Sequence, residues 1–155
     1  MITQITGGVC APKGFRANGV HCGIRKNKIK KDLALIVAEK RCTTACVYTT
    51  NLVKGAPILV TQRNVADGYA QAVIVNSGNA NTCNANGVEI AEEMCRLVEK
   101  HTHVSAKDVV IASTGVIGQK LSIDPIASGM DELVAGLGNK SSAAAEAIMT
   151  TDTGK

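Results

Sequence analysis

Val109-Val110-Ile111-Ala112-Ser113-Thr114-Gly115-Val116-Ile117-Gly118 joins an apolar run of strand length to a small, polar, glycine-punctuated turn. A strand ending in Ser-Thr-Gly exposes hydroxyls and unhindered backbone amides at its tip, where a ligand or a developing negative charge can be met. The same design occurs upstream. Ala72-Val73-Ile74-Val75, continuous in its hydrophobicity and so expected to be buried on both faces, runs into the amide-rich stretch Asn76-Ser77-Gly78-Asn79-Ala80-Asn81, read here as a loop. Between the two strands the period changes. Ile90, Ala91, Met94, Leu97 and Val98 follow the i, i+3, i+4 spacing of an amphipathic helix over 87–100, with Glu92, Glu93 and Arg96 outside and Asn86 as cap.

After the opening stretch, Asp124-Pro125 gives an N-cap followed by proline at the first helical position, and this helix ends near Gly136-Leu137-Gly138. A last, Ala-rich helix starts at Ser141 or Ser142 and runs to about Met149, stopping at a Thr-rich turn. The order strand, polar loop, helix, repeated, indicates an α/β fold.

The N-terminal third reads as short strands joined by Gly- and Lys-rich turns. Leu33-Ala34-Leu35-Ile36-Val37 and Ala45-Cys46-Val47-Tyr48-Thr49-Thr50 are expected to pair antiparallel, with Glu39 to Arg41 at the turn. Pro57 either opens a helix or extends a strand through Ile58-Leu59-Val60. No repeat, linker or low-complexity tract interrupts the chain, so residues 1–155 are read as a single α/β domain.

Composition limits the function classes. Aromatics are 2% of the 155 residues, with one Phe, two Tyr and no Trp, so the core must rely on close approach of small side chains, completed by a partner subunit. The net charge of +4 comes mostly from Lys13 and Arg16 and from the run Arg25, Lys26, Lys28, Lys30 and Lys31. Single-strand nucleic-acid binders add stacking aromatics to such charge, so this run is read as a solvated loop and no nucleic-acid partner is expected. Six cysteines without a secretory signal read as reduced, buried thiols. The Cys42-x-x-x-Cys46 spacing has no second Cys/His pair to complete a zinc site, and no metal is expected. No apolar run reaches the roughly 18 residues of a membrane helix, and a cytoplasmic location is the default.

A nucleophile is harder to find. Ser77, Ser113 and Thr114 lack a neighbouring His or acid at a telling spacing, Gly-x-Ser-x-Gly is absent, and His21, His101 and His103 are scattered. Phosphate-binding glycine signatures are absent as well. Gly115 has no side chain to block its amide and Thr114 adds a hydroxyl donor. Paired donors aimed at one point stabilise an oxyanion by about 3 kcal/mol each in acyl transfer. The plainer alternative is that both strand ends are turns, rich in Asn and Gly because these residues tolerate positive φ.

Several motifs occur together: Ala11-Pro12-Lys13-Gly14-Phe15, Thr49-Thr50-Asn51, Val75-Asn76-Ser77-Gly78-Asn79-Ala80-Asn81, Ser113-Thr114-Gly115-Val116-Ile117-Gly118 and Ala147-Ile148-Met149-Thr150-Thr151-Asp152-Thr153. In this order and spacing, from about residue 7 to 153, the chain resembles the N-terminal α chain of the glutamate/ornithine N-acetyltransferases of arginine biosynthesis. The resemblance implies a mixed-sheet α/β sandwich, of the type shared with self-cleaving aminopeptidases, completed by a second chain. It implies a precursor that cuts itself before a Thr, whose hydroxyl becomes the nucleophile of the β chain, and an (αβ)2 assembly. The acetyl group passes from N-acetylornithine to glutamate through an acetyl-threonine enzyme, with acetyl-CoA a further substrate for some members and no cofactor taking part. The family's oxyanion donors fall on Thr114 and Gly115. A substrate-contacting Thr falls on Thr150, or on Thr151 one register along. No residue here matches the nucleophile, and the sequence stops at Gly154-Lys155, before the family's substrate-binding Lys and cleavage junction. Activity is therefore expected to depend on the second chain. The rival expectations are a related self-cleaving aminopeptidase or amidase, and a non-catalytic assembly subunit.

Overall fold

A computed structural model describes residues 2–26 and 29–151. Lys28 of the basic run, Asp152-Thr153 of the C-terminal motif and the final Gly154-Lys155 lie outside the described residues. Four strands, β1 (Phe15–Val20), β2 (Leu33–Thr43), β3 (Tyr69–Asn79) and β4 (Val109–Val116), form one sheet in the order β1-β2-β3-β4. The first three pair antiparallel, and β3 pairs parallel with β4. The sheet is therefore mixed, as the resemblance implies. A parallel neighbour needs a crossover, and the helix α2 (Gly87–Thr102) supplies it. The other helices are α1 (Ala56–Asn64), α3 (Asp124–Ala135) and α4 (Ser141–Ile148).

Strand alternation divides the side chains between two faces. Leu33, Leu35, Val37, Ala72, Ile74, Val109 and Ile111 point into the main core, where they meet Val60 of α1, Met94, Leu97 and Val98 of α2, and Ile126, Met130 and Leu133 of α3. Full burial of each of the larger side chains contributes about 1.5–3 kcal/mol. On the opposite face Ala17 and Ala34 pack against Ala144 and Ala147 of α4. This contact is made of small residues and is correspondingly close. A side chain at Gly19 would collide with the Ala143 carbonyl of α4. Helix α4 covers only part of this face. Beside it, Phe15, Ile36, Ala38, Val73 and Val110 line an open, largely apolar groove of about 360 Å³.

The edge strand β4 is closed by α1. Thr61 donates its hydroxyl hydrogen to the Ile111 carbonyl at 3.1 Å and accepts the Ile111 N–H at 3.0 Å, while Asn64 donates to the Val109 carbonyl at 2.8 Å. Side chains thus replace the missing strand partner.

Several expectations need correction. Glu39 to Arg41 form no turn: β2 runs through them, bulging between Val37 and Cys42, so that Arg41 grips Asp108 with two hydrogen bonds of 2.9 Å from Nε. Residues 45–50 form no strand and are mostly exposed, because β1 takes the position beside β2 instead. Pro57 opens α1 rather than extending a strand. Asn86 occupies the N-cap of α2 without a side-chain capping bond. Ile123, not Asp124, precedes the first turn of α3, and Ser122 supplies the acceptor for the Asp124 N–H at 3.2 Å.

The six thiols are free, but only Cys95 is buried; Cys10, Cys22 and Cys42 are half-buried and Cys46 and Cys83 exposed. Among the described residues no group of three or more His, Cys, Asp and Glu is placed to hold a metal ion, and no helix is long and apolar enough to cross a membrane.

Candidate functional site

The two polar strand ends lie side by side. In the parallel ladder Asn76 pairs with Ser113, Ser77 with Thr114, Gly78 with Gly115 and Asn79 with Val116. The stretch read as a loop after Val75 is therefore strand through Asn79. Its polar residues are tolerated there because each buried side chain finds a partner. Ser113 donates to Asn76 Oδ1 at 2.6 Å, and Asn76 Nδ2 donates to the Asn79 carbonyl at 2.9 Å. Asn79 Nδ2 donates to the Gln119 carbonyl at 2.9 Å. Ser77 donates to the Ala147 carbonyl at 2.6 Å, tying the end of α4 to the tip of β3. Ser77 and Ser113 are thus occupied structurally.

Gly78 and Gly115 both adopt positive φ, 101° and 133°, where an L side chain is strained. They also touch: a Cβ on Gly115 would lie 2.6 Å from the Asn79 nitrogen and closer still to the Gly78 carbonyl carbon. Side-chain-free backbone at this pair leaves the strand tips accessible from outside, with Thr114 half-buried and Gly115 exposed.

A cavity of about 630 Å³ opens over these tips. It is lined by Thr114, Gly115 and Val116 from β4, Gly78 from β3, Thr150 and Thr151 beyond α4, Gln119, and Ile24, Arg25 and Lys26 from the turn after β1. The residues singled out from the sequence, Thr114, Gly115, Thr150 and its alternative Thr151, are brought to one place from two distant segments. Arg25 and Lys26 were not expected there. Two of the five cations in the run read as a solvated loop, Arg25 and Lys26, line the cavity, because Asp32, fully buried, collects the backbone of this turn. Asp32 accepts the N–H groups of Cys22 at 2.6 Å, Gly23 at 3.2 Å and Arg25 at 2.9 Å, with His21 Nδ1 at 3.3 Å. An acid directly after a basic run, at the start of an apolar strand, is the sequence signal for this turn.

The same carboxylate, together with burial, acts on the Cys22 thiol. Burial first, then the charge and hydrogen bond of Asp32, push it up to about 12. Cys95, on the buried face of α2, is pushed up to about 11 by burial. Neither thiol is a nucleophile at neutral pH. The histidines serve structure: His101 Nδ1 lies 2.8 Å from the Leu97 carbonyl and His103 ends α2 in the left-handed conformation.

Fold and site together define an α/β protein whose mixed sheet presents hydroxyls, unobstructed backbone and cationic side chains at two adjacent strand ends. Residues 16–155 match the ArgJ family, and the chain belongs to that family. The arginine biosynthesis bifunctional protein ArgJ of Symbiobacterium thermophilum is 45% identical over 152 residues, 96% of this chain and 38% of the relative. The protein of the same name from Geobacter sulfurreducens is 46% identical over 143 residues, 91% of this chain and 36% of the relative. This chain therefore spans well under half the length of these relatives. Among solved structures, ornithine acetyltransferase of Mycobacterium tuberculosis, crystallised with ornithine, superposes with a TM-score of 0.87 at 38% identity, covering 94% of this chain and 80% of that one. The ArgJ structure from Bacillus halodurans gives a TM-score of 0.86 at 40% identity, covering 94% and 77%.

Proposed function

We propose that this chain is the α part of a two-chain acetyltransferase that moves an acetyl group from N-acetylornithine to glutamate, and that it supplies the oxyanion hole and one wall of the amino-acid pocket. The observation that carries this reading is the convergence of Thr114, Gly115, Thr150 and Thr151 on one cavity. The membership in the ArgJ family supports it.

In this reaction the hydroxyl oxygen of a Thr at the start of the second chain attacks the acetyl carbonyl of N-acetylornithine. The carbonyl π pair moves onto oxygen, and the resulting alkoxide is met by the Thr114 hydroxyl and the Gly115 amide. Collapse breaks the C–N bond, ornithine leaves with the proton taken from Thr, and the acetyl ester of Thr remains. The amine of glutamate then attacks that ester through a second alkoxide at the same donors. The ester C–O bond breaks and the proton returns to the Thr oxygen. Donors fixed before the charge develops need no reorganisation, and each contributes about 3 kcal/mol. Thr114 suits the role: among the described residues no hydrogen bond engages its hydroxyl. Thr150 contacts the amino-acid substrate. No metal or organic cofactor takes part, and acetyl-CoA is an alternative donor.

The second chain has a surface to occupy. The groove beside α4 is apolar, and Val47 and Leu52 are 99% and 101% exposed. We place the second chain against this face, in an (αβ)2 assembly.

The test is to express the full precursor, purify the complex and determine by mass spectrometry whether the co-purifying chain begins with Thr. Acetyl transfer is then assayed from N-acetylornithine and from acetyl-CoA to glutamate, with peptide amides as competing substrates. A Thr-initiated chain and transfer to glutamate support the proposal. A chain with another first residue, or hydrolysis of peptide amides without acetyl transfer, contradicts it.

A further inference from the structure

The turn that carries Thr114 and Gly115 is anchored at both ends by side chains of the neighbouring strand. Ala72, Ile74 and Asn76 follow one another on the core face of β3, in register with Val109, Ile111 and Ser113 of β4. The two apolar rows thus end in a polar pair directly below the strand tips. Ser113 donates its hydroxyl hydrogen to Asn76 Oδ1 at 2.6 Å, and Asn76 Nδ2 donates to the Asn79 carbonyl at 2.9 Å. Asn79 reaches past Thr114 and Gly115: its Nδ2 donates to the Gln119 carbonyl at 2.9 Å, while its Oδ1 accepts the Asn81 N–H at 2.8 Å. Asn76 is 0% exposed and Asn79 6%. An apolar side chain at 76 would extend the core without needing partners, and a buried amide contributes little net stability even with its bonds made. A fully bonded buried network does fix geometry. Fixing is needed here, because Gly115 and Gly118, both at positive φ, give the backbone between the two anchors the freedom of residues without side chains.

We propose that Asn76 and Asn79 are positioning residues for acetyl transfer: through Ser113 and Gln119 they hold the Thr114 hydroxyl and the Gly115 amide in place before charge develops on the substrate oxygen. The inference rests on the acetyl-transfer reading above. Each amide acts on a residue that flanks the donors rather than on the substrate. Donors stabilise an alkoxide best when they are already aimed at it, and a displacement of about 1 Å costs on the order of 10²-fold in rate. Loss of an anchor is therefore felt in the transition state. It slows the chemical step and leaves substrate saturation, set by the groups that hold the amino-acid part, nearly as it was.

The test measures, in the two-chain enzyme, the maximal rate at which N-acetylornithine acetylates the Thr that opens the second chain, and the concentration that half-saturates it. Ser113→Ala unties the first anchor at a half-buried position, and Ser113→Thr keeps the hydroxyl. Asn76→Leu and Asn79→Leu each remove an amide while retaining its bulk. Ser113→Ala and the two Leu variants are expected to lower the maximal rate on the order of 10- to 100-fold, with half-saturation little changed, and Ser113→Thr to restore most of it. Added to Thr114→Ala, Ser113→Ala should slow the reaction by at most about 3-fold more, because the donor that it positions is already gone. Asn64→Ala is the control. It frees the far end of the same strand, where Asn64 Nδ2 donates to the Val109 carbonyl at 2.8 Å, and should leave the rate unchanged. A Ser113→Ala enzyme at the wild-type rate overturns the proposal. An equal loss in Asn64→Ala, or an equal Ser113→Ala factor with and without the Thr114 hydroxyl, also overturns it and leaves the network a matter of stability. If a Leu variant fails to assemble, the two Ser113 variants decide. A wild-type rate in Thr114→Ala removes the oxyanion assignment and this inference together, whereas a slow Thr114→Ala beside an unchanged Ser113→Ala removes only the inference.

Discussion

Replacing Gly115 by Ala tests the strand-end geometry most severely. The substitution adds one methyl group, and two separate costs follow. Gly115 has φ of 133°, which an L residue adopts only under strain of about 1–3 kcal/mol. The new Cβ would also stand 2.6 Å from the Asn79 nitrogen and 2.7 Å from the Gly78 oxygen, atoms of a neighbouring strand that cannot swing aside. Overpacking of this kind costs a further 1–3 kcal/mol or so. The sum, about 2–6 kcal/mol, is a large part of a stability of roughly 5–15 kcal/mol. At about 2–4 °C per kcal/mol, the melting temperature of the two-chain protein should fall by roughly 5–20 °C. Gly118→Ala provides the control. Gly118 has φ of 77° but no atom within 4 Å of an added Cβ, so it carries the strain without the collision. Thermal and urea denaturation of both variants should place Gly115→Ala well below Gly118→Ala. Where Gly115→Ala still folds, the displaced amide should lower kcat on the order of 10²-fold, as misplacement by about 1 Å does. Equal losses in the two variants, or a Gly115→Ala protein within about 0.5 kcal/mol of wild type, would refute the close Gly78–Gly115 contact.

Two further outcomes follow from the packing. Thr61→Val keeps the shape of the side chain but leaves the Ile111 N–H and carbonyl without their α1 partner, and urea denaturation should show a loss of about 1–3 kcal/mol. An unchanged midpoint would mean that β4 does not depend on α1 for its edge. The Cys22 thiol is raised from 9.0 to about 12 in the folded chain, so folding favours its protonated form. That contribution is complete below pH 9.0 and is lost as pH rises towards about 12. At pH 8 a thiol reagent should modify native Cys22 far more slowly than Cys22 of the unfolded protein, as peptide mass mapping will show; equally rapid labelling of native Cys22 would contradict its raised pKa.

The α2, α3 and α4 helices were legible because apolar residues recur at helical spacing and leave one charged or small face outward. The apolar starts of β3 and β4 were legible for the same reason. Their polar ends were not, since Asn76, Ser77 and Ser113 look like turn residues until their buried partners, Asn79, Ala147 and each other, are seen. Strand β2 crosses Glu39-Lys40-Arg41 because these side chains are exposed where the strand bulges, and nothing in a local charge run reports that. Ala45 to Thr50 has the composition of a strand but no strand beside it. At the cavity, Thr114 and Gly115 stood out as a hydroxyl and a bare amide at a strand end, whereas Thr150 and Thr151 came only through the family resemblance. Arg25 was hidden because its placement depends on Asp32, and the contact is made through backbone rather than through charge pairing.

The proposed reaction has Thr114 stabilise the alkoxide formed in acetyl transfer. Its most direct test is rapid-quench mass spectrometry of the two-chain enzyme mixed with N-acetylornithine, following acetylation of the Thr that opens the second chain. Thr114→Ala is expected to slow this first acetylation on the order of 10²-fold, with KM for N-acetylornithine and thermal stability little changed. Acetylation of that Thr at the wild-type rate in Thr114→Ala would contradict it.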